Sequence, residues 1–184
     1  MINLLAPGIL LLSDPFLKDP NFLRTAIILC EYNADGCVGF VINKPFELSL
    51  GELVEGLEGI DFPVYEGGPV HKNSIHFIHT CPDFISDGID IGNGIYWGGN
   101  FEQVRILLKT NDLTNKDIRF FIGYSGWGGG QLEDEIAEKS WITSACTANL
   151  VFSTDASQIW KNALKSLGGE YEQMPNYPLN PQFN

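Results

Sequence analysis

Two β-rich runs, Thr25 to Tyr32 and Cys37 to Asn43, flank the tetrapeptide Asn33-Ala34-Asp35-Gly36, and this pattern constrains the fold more than any other in the 184-residue chain. Gly36 can take the positive φ that a tight connection needs, so the two runs are expected to pair as an antiparallel hairpin ended by Pro45. Ile9 to Leu12, Ser74 to Thr80, Ile89 to Ile91, Ile95 to Trp97 and Ile118 to Ile122 read as further short strands, and Trp141 to Thr147 and Leu150 to Phe152 as extended.

Helices interleave with these strands. Ser49 and Glu52 form a capping box ahead of Leu50, Leu53, Val54 and Leu57, and Asn100 with Gln103 opens a helix whose Phe101, Val104 and Leu108 share one face. Gln131 to Lys139 is expected to be helical. Thr154 is expected to cap the best-defined helix, on which Ala156, Ile159, Trp160, Ala163, Leu164 and Leu167 recur at i, i+3, i+4 before Gly168-Gly169 stops it. Hairpins mixed with strand–helix alternation favour an α+β fold over a regular parallel one. One domain over residues 1–170 is expected, with a proline-bearing tail over 171–184.

A chain of this length can bury roughly 70% of its unfolded surface. With 44% apolar and 18% charged residues, including 12 Phe and 4 Trp, it has the composition of a globular core. Eleven basic residues against 23 acidic ones give a net charge of -12, which repels polyanions. The basic residues are scattered, so direct nucleic-acid binding is not expected. Cys30, Cys37, Cys81 and Cys146 lack C-x-x-C spacing and read as reduced thiols. Met1 to Leu12 lacks a basic leader and is broken by Pro7-Gly8, and no apolar run reaches the ~18 residues of a membrane span, so the cytoplasm is the expected location.

Gly123 to Gly130 reads as a glycine-rich loop between a strand and a helix, where free N–H groups can hold an anion. The Walker Lys and Ser/Thr are missing, and Glu133, Asp134 and Glu135 in the first helical turn would repel a phosphate. A neutral or cationic ligand fits better, with Gln131 and Glu133 as polar contacts and Trp127 as a stacking platform. Gly123-Tyr124-Ser125-Gly126-Trp127 resembles a G-x-S-x-G nucleophile elbow with Trp127 in the last glycine position. His76 and His79 fall on opposite faces of a strand, so they cannot share a metal, and His79 reads as a hydrogen-bonded core or edge residue. Arg24, the one cation between Phe22 and Cys30, calls for a carboxylate partner if buried or a ligand anion if exposed. Asn43-Lys44-Pro45 is either a strand stop or part of a recognition loop.

Four segments in order, Asp19-Pro20-Asn21-Phe22-Leu23-Arg24-Thr25, Gly39-Phe40-Val41-Ile42-Asn43-Lys44-Pro45, Gly67-Gly68-Pro69-Val70 and Gly123-Tyr124-Ser125-Gly126-Trp127-Gly128-Gly129-Gly130-Gln131-Leu132-Glu133, resemble the AlgH-like (YqgE-like) family of bacterial proteins. The likeness covers roughly Pro7 to Leu167. It implies an α+β domain whose mixed, bent, bifurcated sheet curls into a pseudo-barrel flanked by three to four helices. It also carries a transcriptional-regulator label without an established biochemical activity. Ser125 stands where the family commonly has alanine and Gly129 where proline is frequent, and the first departure weakens a catalytic role for that serine.

The leading expectation is a non-catalytic binding or regulatory domain that uses a protein partner or a small-molecule ligand, with no cofactor and no metal. Arg24, Asn43, Gly67, Gly68, Trp127, Gly128, Gln131 and Glu133 are expected to line one cleft. The alternatives are a direct DNA-binding regulator and a small hydrolase or transferase using Ser125 or Glu133.

Overall fold

The computed structural model describes residues 5–179. The fold is built outward from β8 (Ile118–Gly128), an eleven-residue strand that organises the sheet. Its N-terminal half pairs in parallel with β4 (Val64–Glu66), and its C-terminal half pairs antiparallel with β3 (Gly36–Val41). On its other side runs β5 (Val70–His79), antiparallel, with a register shift between Val70 and Ile75. Two partners sharing one edge of β8 make the sheet bifurcate. Gly67 and Gly68 sit at the fork: Gly67 N–H donates to the Ile122 carbonyl at 2.9 Å, and Val41 N–H donates to the Gly67 carbonyl at 2.8 Å. A Cβ on Gly68 would lie 2.3 Å from the Tyr124 backbone, so only glycine lets the two chains cross.

The hairpin of β2 (Ala26–Asn33) and β3 forms as expected. The Asn33 side chain accepts from the N–H groups of Asp35 and Gly36, which fixes the turn. From β3 the sheet continues through β2 to β1 (Leu10–Ser13) and β9 (Trp141–Ser144); from β5 it continues through β7 (Ile95–Trp97) to β6 (Ile89–Gly92). All of these pairs are antiparallel, so β4–β8 makes the sheet mixed. The hydrogen-bonded path is open, with β6 and β9 at its ends. The sheet bends far enough for Asn93, between β6 and β7, to donate to the Gly8 carbonyl ahead of β1 at 3.0 Å.

Side chains alternate across this sheet, and both faces are covered, so Leu10–Leu12 and Ala26–Leu29 are apolar at every position. Leu10, Leu12, Ile28, Phe40 and Phe121 face one core with Trp160 and Leu164 of α5 (Ile159–Leu167). Leu11, Ile27, Leu29, Trp127 and Trp141 face another with Leu132 of α3 (Gln131–Ala137). A third core gathers Phe62, Phe77 and Phe120 with Leu50 of α1 (Leu50–Leu53) and Val104 and Leu108 of α2 (Phe101–Lys109). Asn100 accepts from Glu102 and Gln103 N–H as the cap of α2, and Glu52 accepts from Ser49 N–H at 2.7 Å to complete the capping box of α1.

Three local expectations are corrected. Gly123 to Gly128 is strand, because the β3 backbone offers it a partner from Gly39 to Gly36; only Gly129 and Gly130 turn the chain. Leu150 lies in a helix, α4 (Ala148–Val151), because the Thr147 hydroxyl accepts from Leu150 N–H at 3.3 Å and caps it. The last helix does not start under a Thr154 cap: a 3-10 turn over Ala156–Gln158 precedes α5. After Gly168, 3-10 turns over Gly169–Glu172 and Met174–Asn176 place Tyr171 and Met174 against the α5 core.

Candidate functional site

The sequence-marked residues fall into three local groups. Asn43 accepts from Ala26 N–H and donates to the Arg24 carbonyl, each at 2.9 Å, and so pins Arg24 at a left-handed φ of 50°. The Arg24 guanidinium lies 5.3 Å from the Trp160 ring centre and donates to the Tyr177 carbonyl. Among the described residues it has no carboxylate partner, so the expected ion pair is replaced by a carbonyl and an aromatic face. Gly67 and Gly68 form the second group, at the fork. There Ser125 is 0% exposed and its hydroxyl donates to the Gly67 carbonyl at 3.0 Å. That geometry ties down the oxygen a nucleophile would need free.

Trp127, Gly128, Gln131 and Glu133 make the third group, where β8 runs into α3. Trp127 is 6% exposed, so it is a core residue and not an open stacking platform. Its indole N–H donates to Glu135 Oε2 at 2.9 Å, and the Trp141 indole N–H donates to the same oxygen at 2.7 Å. Glu135 Oε1 accepts from Gln131 Nε2 at 2.9 Å, and Gln131 Oε1 accepts from Gly128 N–H at 3.0 Å. Glu133 projects outward and accepts from the Tyr32 hydroxyl at 2.7 Å, a bond that lowers its pKa and raises that of the phenol. A carboxylate held further into its ionised form is a poor general acid.

His79 is buried, with Nε2 3.0 Å from the Gly98 carbonyl, and burial pushes its pKa down. His76, on the opposite face, lies against Phe40 and Tyr124, and its Nε2 is 3.0 Å from the Ser74 hydroxyl. Among the described residues no three His, Cys, Asp or Glu side chains converge as a metal cage. Lys44 and Lys72 both pair with Glu66, at 3.2 and 2.8 Å; the Lys72 bond leads in holding that carboxyl below its usual range.

A cleft of about 700 Å3 opens beside Trp141. Trp141 to Thr143 of β9 form its floor, Ile136 and Lys139 one wall, and Leu167, Tyr171 and Met174 the other, with Asp14 and Glu170 at its margins. A second cleft of about 270 Å3 lies across Trp141, between Phe22, Trp127, Gln131 and Glu135. A third, about 460 Å3 and more open, lies beside the hairpin turn and Tyr124. Arg24, Asn43, Gly67 and Gly68 line none of these three. The bond of Glu135 to the two indoles escaped the sequence reading, although one signal pointed to it: a buried indole N–H wants an acceptor, and α3 carries carboxylates between Trp127 and Trp141. Thr143, Tyr171 and Met174 had no such signal.

No helix among the described residues is long and apolar enough to cross a membrane. A model of AlgH-like proteins matches residues 10–172. A UPF0301 protein of Chlorobium limicola is 42% identical over 180 residues, covering 98% of this chain and 96% of the relative, and one of Cytophaga hutchinsonii is 36% identical over 182 residues, covering 98% and 100%. Among solved structures, the AlgH protein of Pseudomonas aeruginosa superposes with a TM-score of 0.74 at 24% identity over 96% of this chain and 98% of that one. A Corynebacterium diphtheriae protein superposes at 0.77 with 18% identity over 95% and 94%, and both likenesses speak to the fold alone. The family match over most of the chain and the full-length relatives together establish that this protein belongs to the AlgH-like, UPF0301 family.

Proposed function

We propose that this chain is a non-catalytic recognition domain that acts by holding a protein partner, in a reducing cytoplasm that suits its free cysteines. The observation that carries this reading is the 700 Å3 cleft beside β9, which sets the apolar side chains of Ile136, Leu167 and Met174 beside the carboxylates of Asp14 and Glu170 and has no nucleophile–base pair on it. Regulation through a partner also fits the charge of -12 better than direct reading of DNA, for which α5 offers only Lys161 and Lys165.

A photo-crosslinking phenylalanine analogue placed at Tyr171, inside the cleft, tests the proposal in cells. The control position is Ile106, 61% exposed on α2. A discrete protein adduct from position 171 and none from 106 is the expected result. Equal capture at both positions, or capture at neither, removes the reading.

A further inference from the structure

We infer that β9 accepts one more strand: an extended, cationic segment of a partner protein adds to the sheet along Trp141–Ser144. This deepens the recognition reading above and rests on it. The phase of the β1–β9 ladder sets the geometry. Asp14 N–H donates to the Ser140 carbonyl at 3.0 Å, and the register pairs Leu12 with Ile142 and Leu10 with Ser144. In an antiparallel ladder, hydrogen-bonded and non-bonded pairs alternate. Ser140, Ile142 and Ser144 therefore turn their backbone groups toward β1, while Trp141 and Thr143 turn theirs away, into the cleft. Among the described residues neither Trp141 nor Thr143 finds a backbone partner there. Two N–H and two C=O groups are thus presented in the plane of the sheet.

The cleft has the form of a missing strand. Ile142, Leu167, Tyr171 and Met174 belong to the core under α5, whereas Trp141 and Ile136 belong to the core under α3. The space between them continues the sheet between its two covering layers. An added strand lies about 4.8 Å from β9 and sends alternate side chains to opposite walls. Its residues facing Leu167, Tyr171 and Met174 must be apolar. The other end of the sheet is less suited, since the register of β6 with β7 shifts between Asp90 and Gly92.

Charge selects the occupant. Asp14 and Glu170 outnumber Lys139 among the charged residues that line the cleft, and the chain as a whole carries -12. A second copy would bring the same excess of negative charge and the same two carboxylates. A segment that is apolar where it meets both walls and carries Lys or Arg at its ends, near the carboxylates of the margin, fits the cleft, and the backbone bonds supply affinity independent of its sequence.

The probe is a fluorescein-labelled peptide of about seven residues, valines flanked at both ends by lysine, long enough to span β9. Saturable binding by anisotropy is expected, with at least tenfold slower amide exchange at Trp141 and Thr143 when the peptide is bound. The valine–glutamate peptide, and a valine–lysine peptide N-methylated at its central residues, are expected to bind at least tenfold more weakly. Thr143→Pro removes an outward N–H without breaking a β1 bond and is expected to weaken binding by the same factor. If that variant fails to fold, the N-methylated peptide with the unaltered protein gives the same answer.

No saturation up to about 1 mM, equal binding of the N-methylated peptide, or unchanged exchange at Trp141 and Thr143 overturns the added strand. A self-associated dimer that the probe dissociates overturns it too, in favour of a second copy. Capture at position 171 with unchanged β9 amides leaves the recognition reading standing and removes only the strand. Probe binding without capture at position 171 removes the recognition reading, and the partner strand with it.

Discussion

Replacing Glu135 with alanine removes the one acceptor that two indoles share. Trp127 and Trp141 are 6% and 4% exposed, and each donates its N–H to Oε2 of this side chain. A hydrogen bond to an ionised acceptor contributes about 1.5–3 kcal/mol, and a buried donor left without a partner costs about 1–3 kcal/mol. Glu135 itself lines the 270 Å3 cleft, so water can reach the vacated position and recover part of the loss. The net destabilisation is then about 2–3 kcal/mol. At the usual unfolding entropy per residue this lowers Tm by about 5–8 °C in a chain of this size. Glu135→Gln keeps an oxygen at the same place without the charge and should lose about half as much. Calorimetry measures the shift, and tryptophan fluorescence reports whether the indole environment changes with it. A Glu135→Ala protein that melts within about 1 °C of the parent, with unaltered emission, would refute the reasoning.

Gly68→Ala should cost about 3 kcal/mol or more, since its Cβ would meet the Tyr124 carbonyl at 2.3 Å; urea unfolding checks this, and a loss below about 1 kcal/mol would contradict the fork geometry. Arg119 is 2% exposed, lies 4.2 Å over Tyr65, and donates to the carbonyls of Ile42 and Ser153 at 2.8 and 2.5 Å. Lysine cannot reach both, so Arg119→Lys should lose about 2 kcal/mol on the same urea curve despite keeping its charge. Burial pushes the His76 and His79 imidazoles below their ordinary pKa. As pH falls through about 6.5 the unfolded chain takes up these protons first, so stability drops by at most about 1.4 kcal/mol per pH unit per group. The Tm of His79→Gln between pH 7 and 5.5 should therefore fall less steeply than the parent's, and parallel curves would show that His79 does not carry the effect.

Much of the fold was legible because it rests on local chemistry. The Asn33–Gly36 turn, the Ser49–Glu52 box and the Asn100 cap all satisfy their own backbone within a few residues, so their signatures sit together in the chain. The apolar run Ile9 to Leu12 could be read as a short buried strand, but not which core each of its side chains enters. What escaped depends on partners distant in sequence. Gly123 to Gly128 looks like a loop until β3 is laid beside it; Leu150 is the local exception, since Thr147, which caps its helix, stands three residues ahead of it. The candidate site was harder still. Which backbone groups of β9 stay unpaired depends on the ladder phase with β1, more than a hundred residues away, and no composition rule contains that phase.

The residues that make the family recognisable are for the most part accounted for by the fork itself. A Cβ on Gly39 would come within 2.8 Å of the Ile28 carbonyl, and one on Gly67 within 2.5 Å of the Gly123 carbonyl. Asn43 is consumed by the Arg24 and Ala26 backbone, and the Ser125 hydroxyl by the Gly67 carbonyl. The bonds these groups make hold the backbone of the fork, so the motifs report how two strands share one edge of a third. The cleft beside β9 is lined by other residues, with Asp14, Lys139, Thr143, Glu170, Tyr171 and Met174 drawn from five separate segments. Two chains with the same fork can therefore carry different side chains around β9 and recognise different partners. On the added-strand proposal, the ladder phase of β1 and β9 sets where a strand joins this chain, while the charges and side chains at the cleft margin select which strand it is.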